Sequence, residues 1–354
     1  MKIYSVCLIP LMLISLISSV NADVGSELAR LEKEIEDIRS KVGLEKKNAS
    51  KLKLYGSFRP VITAESDGSD SAVDVRDALS RFGLSGQASV LESSTAFFNG
   101  EWNVKMADEG QIDGARLALV GIRGDFGELA VGKQRPPHYS LIAEHVDIFN
   151  HASSPYAYDN IGPFFIDNMT TYQYSNQTLD FRLAMRTDGN SGSDTDDLLN
   201  IGLSFNADDF YIATAYLKST SPSIGAGGAD EEGDEFENIA LATYMNLTQV
   251  YLAAAYQGVT KTPEVGDELN MSTLDVSAAY SLPSRYKLKA GFFIFDDDVD
   301  GTSSAKHQGI NLTLERQLAD NIRVHIEYLT KDYDERDTLS ALSFGMRYDF
   351  SSDL

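Results

Sequence analysis

The chain is almost without cysteine, with a single thiol, Cys7, in 354 residues. Cys7 lies in an N-terminal apolar segment. The rest of the chain therefore has no disulfide framework, cysteine nucleophile or thiolate metal site. Tryptophan is nearly missing too, with one residue, Trp102. Basic residues are scarce: 30 Lys and Arg stand against 53 Asp and Glu, for a formal charge of −23 and an isoelectric point near 4.5. Nucleic acid is thereby excluded as a partner, because phosphate binding needs a basic face. Beyond residue 22 no apolar run approaches the roughly 18 residues of a membrane-crossing helix. Two classes remain: an exported water-soluble protein, or a closed barrel that crosses a membrane by alternation.

What is present begins with a leader. Lys2 supplies a positive start, an apolar stretch runs from Val6 to Ile17 interrupted by Pro10, and Val20 and Ala22 stand at −3 and −1 of a cleavage site. Residues 1–22 are expected to be removed as a signal peptide. Cys7 is too near the start, after the wrong residues, for a lipoprotein signal. Residues 23–50 form the next segment. Val24, Leu28, Leu31, Ile35, Ile38 and Val42 are spaced 4, 3, 4, 3, 4, the seam of a coiled coil. Ile35 and Ile38 at adjacent seam positions favour three helices over two. A helix this short needs a partner. Gly43 ends the pattern and Lys46–Ser50 reads as a linker. A helix packed on its own domain is the alternative.

From Lys51 the period becomes two. Leu52, Leu54, Phe58 and Ile62 share one parity, with Lys51, Lys53, Ser57 and Arg59 on the other. Ile322, Val324, Ile326 and Tyr328 likewise oppose Arg323, His325 and Glu327. Sixteen such runs are present: 51–65, 78–90, 94–107, 113–123, 127–134, 168–176, 178–188, 197–206, 209–219, 235–247, 249–261, 269–282, 285–297, 304–318, 321–333 and 338–350. Short connections alternate with long ones, and 66–77 is among the long. An even number of such runs, with short turns on one side and long loops on the other, predicts a 16-stranded antiparallel transmembrane β-barrel over residues 51–354. The longest interruption, about 134–167, is rich in aromatic and aliphatic residues and is expected to be ordered.

Three segments resemble the general diffusion porins of Gram-negative bacteria. They are Lys53-Leu54-Tyr55-Gly56, Ser80-Arg81-Phe82-Gly83-Leu84-Ser85-Gly86 followed by Glu101, and Ala115-Arg116-Leu117-Ala118-Leu119-Val120-Gly121 with Phe126-Gly127-Glu128-Leu129. A terminal strand ending in Phe350 fits the same class. The resemblance implies an all-β barrel in the bacterial outer membrane, surrounded by lipid and lipopolysaccharide and assembled as a homotrimer. It also implies that the third long loop folds into the pore and narrows it. Arg81 and Arg116 match two of the family's wall arginines, and Arg59 lies near a third basic position. Gln173 stands where the family usually has another basic residue. The family's loop motif is missing, so Glu144, Asp147 and Asp159 are nominated as the loop acids. The implied function is a water-filled channel for passive diffusion of small hydrophilic solutes and ions, with mild cation preference. No catalytic residue, metal or cofactor is implied. The N-terminal helix departs from the family. Phosphate-selective porins carry such a helix, which would trimerise in the periplasm or reach the cell wall.

Three alternatives compete. A substrate-specific porin for phosphate or another anion needs many inward basic residues, and a sugar-specific one needs a continuous aromatic ladder. A barrel enzyme needs a positioned nucleophile and base. His138, His145 and His151 share the long loop, but their spacing of 7 and 6 matches no familiar ligand pattern. A structural tether would make the coiled coil the working part.

Overall fold

The computed structural model describes residues 51–91, 93–108, 110–150, 156–187, 197–220, 234–297 and 305–354, with Arg30, Lys33 and Glu34. The chain divides into two units, Met1–Ala49 and Ser50–Leu354. In the first, Arg30, Lys33 and Glu34 are helical, and Arg30 Nε lies 3.7 Å from Glu34 Oε1. The expected seam (Val24, Leu28, Leu31, Ile35, Ile38 and Val42) and the expected signal peptide lie outside the described residues.

The second unit is a closed antiparallel sheet. β1 (Lys51–Phe58) and β2 (Pro60–Ser66) are halves of one wall strand, broken at Arg59. β3 (Ser71–Asp77) and β4 (Arg81–Leu91) are halves of the next. There follow β5 (Ser94–Lys105), β6 (Gln111–Gly124), β7 (Gly127–Gln134), β8 (Ile166–Ser175), β9 (Leu179–Arg186), β10 (Leu198–Ala207) and β11 (Phe210–Ser219). The wall continues with β12 (Glu235–Leu247), β13 (Val250–Thr262), β14 (Leu269–Leu282), β15 (Tyr286–Asp296), β16 (His307–Ala319), β17 (Ile322–Tyr333) and β18 (Leu339–Asp353). Counting each pair of halves once gives sixteen wall strands. β18 pairs with both β1 and β2, which closes the barrel.

Two boundaries differ from expectation. Residues 66–77 are not a long loop. They form a turn at 67–70 and then β3, which pairs with β2 from Pro60↔Asp77 to Ser66↔Ser71. The acid in this stretch reads as loop, but Arg76 neutralises Glu65 across the hairpin at 2.7 Å, and Asp67 Oδ1 accepts from the Asp70 amide. The last strand also runs past Phe350. Asp353 pairs with Lys53, so the terminal residues extend the closing seam. At the break beside Pro60 the backbone stays satisfied: the Arg59 amide donates to Ser80 Oγ at 2.7 Å, and the Ala78 amide donates to the Arg59 carbonyl.

Alternation sorts the two faces. On β10, Leu199, Ile201, Leu203 and Phe205 are exposed on one parity, while Asn200 and Ser204 are buried on the other. The same holds around the wall, with Ile239, Leu312 and Phe344 all at least half exposed on the outer side. In water such a belt would be an exposed apolar patch far beyond what a monomer carries. Against hydrocarbon it is the favoured arrangement. Connections at one end are two or three residues long, from Asp208–Asp209 to the Pro283–Arg285 turn. Connections at the other end are longer, the longest being 135–165.

The interior holds a packed core where Leu141, Ile142 and Val146 meet Tyr211 and a floor of inward alanines: Ala213, Ala215, Ala240, Ala242, Ala253 and Ala255. Methyl side chains on three adjacent strands leave room for a segment of chain to lie against the wall. Gly132 helps to launch that segment. Its φ is +122°, and a Cβ there would sit 2.1 Å from the Ala118 carbonyl oxygen. We expect Gly132→Val to cost about 3 kcal/mol or more through combined strain and overpacking. The check is the temperature at which the folded barrel loses its compact migration in detergent gels, which should fall.

Candidate functional site

Three of the expected wall residues come together. Glu101 on β5 is buried and accepts a hydrogen bond from Arg116 Nε at 2.7 Å; Arg81 Nε on β4 lies 3.6 Å from the same carboxylate oxygen. Arg116 reaches this position through a bulge. Glu101 pairs with Leu117 and Trp102 with Ala115, so Arg116 is the extra residue between two registered pairs. A bulge re-aims the side chain it carries. Arg116 Nη1 also donates to Asn103 Oδ1. Arg59, at the break between β1 and β2, donates from Nε to Ser57 Oγ and lies within electrostatic reach of Arg81, Arg116 and Arg347. A cavity of about 580 Å³ opens beside this group, lined by Ser57, Arg81, Glu101, Arg347 and Asp349.

The segment between β7 and β8 is fastened to inward-facing side chains of the wall. Tyr211 and Tyr251 donate from their hydroxyls to the carbonyls of Leu141 and His145. Ser277 donates to the Val146 carbonyl, and Lys289 Nζ donates to that of Ile148 at 2.7 Å. The Asn150 amide donates to Glu327, and its side-chain amide donates to Glu315. Further on, the amides of Ala157 and Tyr158 both donate to the Asp275 carboxylate, at 2.6 and 3.0 Å. Two glycines receive apolar anchors, with Leu141 against Gly202 and the Phe149 ring against Gly291. Hydrogen bonds to buried charged groups are the stronger kind, so this segment is held more firmly than its short helical turns at 138–145 and 157–160 suggest.

The nominated acids meet different cations, while Asp147 lies within electrostatic reach of both Glu144 and Asp159. Glu144 lies within electrostatic reach of Arg135 and Arg182. Asp147 accepts a hydrogen bond from the Tyr139 hydroxyl at 2.8 Å. Asp159 is near Lys331 instead. Loss of hydration between segment and wall pushes the Glu144 and Asp159 carboxyls above their usual range, against the opposing pull of Arg135 and Arg182 on the first and Lys331 on the second. Gln173 stands apart from the arginine group, donating to Asp180 on β9. Of the loop histidines, His138 is buried against Asn200 and His145 packs at a tilt against the rings of Tyr211 and Tyr244. Burial lowers both imidazoles to about 4, so both are neutral at physiological pH. His151 lies outside the described residues.

Several basic groups here escaped the sequence reading. Arg135 is sandwiched between the rings of Tyr139 and Phe165, at 3.8 and 4.5 Å, and Phe165 carries Arg116 at 4.7 Å. Arg59 and Arg135 form no ion pair among the described residues. Arg182, two residues from Asp180 and bonded to it, supplies the positive charge that Gln173 does not. Arg347 holds Asp349 at 2.8 Å. Arg182 and Arg347 sit on the polar parity of their strands, which was the available signal. Arg135 directly follows Gly132-Lys133-Gln134 and has no parity to read.

The model of the Gram-negative porin family matches residues 35–336, most of the chain. The chain belongs to that family. The fold agrees with solved porins. An anion-selective porin from Comamonas acidovorans superposes with a TM-score of 0.71 at 14 % identity, over 85 % of this chain and 100 % of that one. OmpF of Salmonella typhi, solved with daunomycin, gives 0.68 at 17 %, covering 86 % and 98 %. A loop-deleted OmpT of Vibrio cholerae gives 0.68 at 17 %, covering 85 % and 100 %. No curated protein matches in sequence. The porin is therefore an outer-membrane channel for diffusion, with its apolar belt in lipid.

Two outcomes follow for the porin. Glu101→Gln leaves Arg81 and Arg116 without their shared acid. Folding stability should drop by on the order of 3 kcal/mol, and the reversal potential in a salt gradient should move toward anions. On acidification the Glu144 and Asp159 carboxyls lose charge above the ordinary carboxylate range near 4. The cation-to-anion permeability ratio, whatever its starting value, should therefore begin to fall at a higher pH than a solvated carboxylate would give. Glu144→Gln should flatten that part of the profile.

Proposed function

We propose that the segment 135–165 is the constriction loop of this porin and that it sets an eyelet between its own acids and the arginine wall. The supporting observation is its series of hydrogen bonds to inward side chains from β11 to β17, which holds Glu144 within reach of Arg135 and Arg182. Small hydrophilic solutes and ions cross that gap in water. Opposed fixed charges favour polar solutes over apolar ones and bias ion selectivity. The chain's charge of −23 supports mild cation preference overall. The working unit is a homotrimer, with residues 1–22 removed and residues 23–50 forming a coiled coil in the periplasm.

One observation favours a second reading. Arg59 and Arg135 add positive charge without an ion pair among the described residues, and one similar structure is described as anion-selective. In that reading the arginine wall binds small anions.

Planar bilayer recordings separate the two. Stepwise conductance in threes with a potassium-to-chloride permeability ratio modestly above one is the expected result. Arg81→Ala with Arg116→Ala should raise both conductance and that ratio; unchanged values would remove these arginines from the eyelet. Saturable block by phosphate would favour the second reading. Absence of any conductance would sink both. Deleting residues 24–42 should weaken the trimer on semi-native gels, and an intact trimer would detach the helix from assembly.

A further inference from the structure

The outer face of β14–β17 carries a depression between large apolar residues. Ala278 and Ala290 are directly paired and face outward. They lie among Tyr280, Leu288, Leu312 and Tyr328, which stand taller. The result is an apolar groove of about 550 Å³. Its β13–β15 end lies near the short turns, since Val250 opens β13 and Leu288 is the third residue of β15, and from there it runs across the strands to Tyr328 and Leu342 farther up the wall. In this barrel class the short-turn end faces the periplasm, so the β13–β15 end of the groove belongs to the inner leaflet.

A cation stands at its mouth. Leu288 pairs with Leu314, and the next outward pair along the same strands is Tyr286 with Arg316. Arg316 is exposed, its guanidinium lies 5.0 Å from the Tyr286 ring centroid, and it forms no ion pair among the described residues. Its neighbour Arg285 is already engaged by Asp320 at 3.0 Å. An outward arginine on a lipid-facing strand is costly at the midplane and tolerated near the headgroups. Here it rests over the Tyr286 ring, which favours a positioned planar donor for a phosphate.

We propose that this is a binding site for an anionic phospholipid of the inner leaflet. One acyl chain lies over Ala278 and Ala290, and the phosphate accepts hydrogen bonds from Arg316. A trough sized for a chain, ending in an uncompensated guanidinium, matches that amphiphile in both shape and charge. A zwitterionic lipid brings its own ammonium to compete with Arg316, so an anionic headgroup is preferred. The site rests on the outer wall alone and does not depend on the constriction.

The test is native mass spectrometry of the full-length porin in detergent, titrated with phosphatidylglycerol and separately with phosphatidylethanolamine. Wild type should prefer phosphatidylglycerol by roughly fivefold, the contribution of one basic residue at a membrane surface. Arg316→Gln should erase that preference. Ala290→Leu, which fills the floor of the groove, should weaken retention of both lipids. Unchanged heat-modifiability and conductance would show that both variants fold. Equal binding of the two lipids by wild type, or a preference that survives Arg316→Gln, would overturn the proposal. So would inorganic phosphate binding that depends on Arg316 while lipid retention is indifferent to Ala290→Leu, which marks a bare anion site. A change of oligomeric state in Ala290→Leu would assign the groove to a second copy of the chain instead.

Discussion

Hydrocarbon offers no hydrogen bonds, and this one constraint shapes the wall. A strand edge left open in lipid would strand a row of amides and carbonyls, each costing several kcal/mol. The seam between β18 and the first wall strand is therefore the joint on which everything else rests, and it is built with more care than an ordinary strand pair. β18 extends to Asp353 to pair with β1 from Lys53 to Phe58 and also pairs with β2, while the kink at Arg59 and Pro60 is bridged by Ser80 and Ala78. Closure forces alternation, and alternation gives a polar inner face on which charges can be placed at low cost.

On that inner face the chain solves a second problem, how to hold a long irregular segment still. The means is distributed. No single bond fixes residues 135–165, but tyrosine hydroxyls, a serine, a lysine and two carboxylates each take one or two backbone groups. Backbone groups that would otherwise need water are thereby satisfied. The arginine group on the other side is organised in a different way, by shared acids and by stacking on Phe165 and Tyr139. One side of the interior is thus bonded through backbone and the other through side-chain charge.

Much of this was legible in the sequence, and the limits have physical causes. A period of two is a local property, so the wall strands could be counted from residues alone; β3 was missed because Asp74 and Asp77 made a strand look like a loop. Arg81, Arg116 and Glu101 were found as a group because each lies in a motif of fixed order. The reason Arg116 points inward was not readable, since a bulge is a relation between two strands. Asn150 and Glu327 are 177 positions apart, and no pattern in either segment announces their bond. Gln173 is neutral where a basic residue is expected, and the positive charge sits on its register partner Arg182 on the neighbouring strand.

The inward alanines of β11, β12 and β13 carry a consequence beyond packing. Strand number fixes the circumference of a barrel, but the free cross-section is what remains after its contents are seated. Here six methyl groups set how deeply the inner segment sinks toward the wall. The bore is thus written in side-chain volume on three strands. Exchanging one alanine for valine or leucine would narrow the passage by lifting the segment, with every strand and every wall hydrogen bond left as it was. Gauge and scaffold are encoded separately, and sequence drift can tune the first without touching the second.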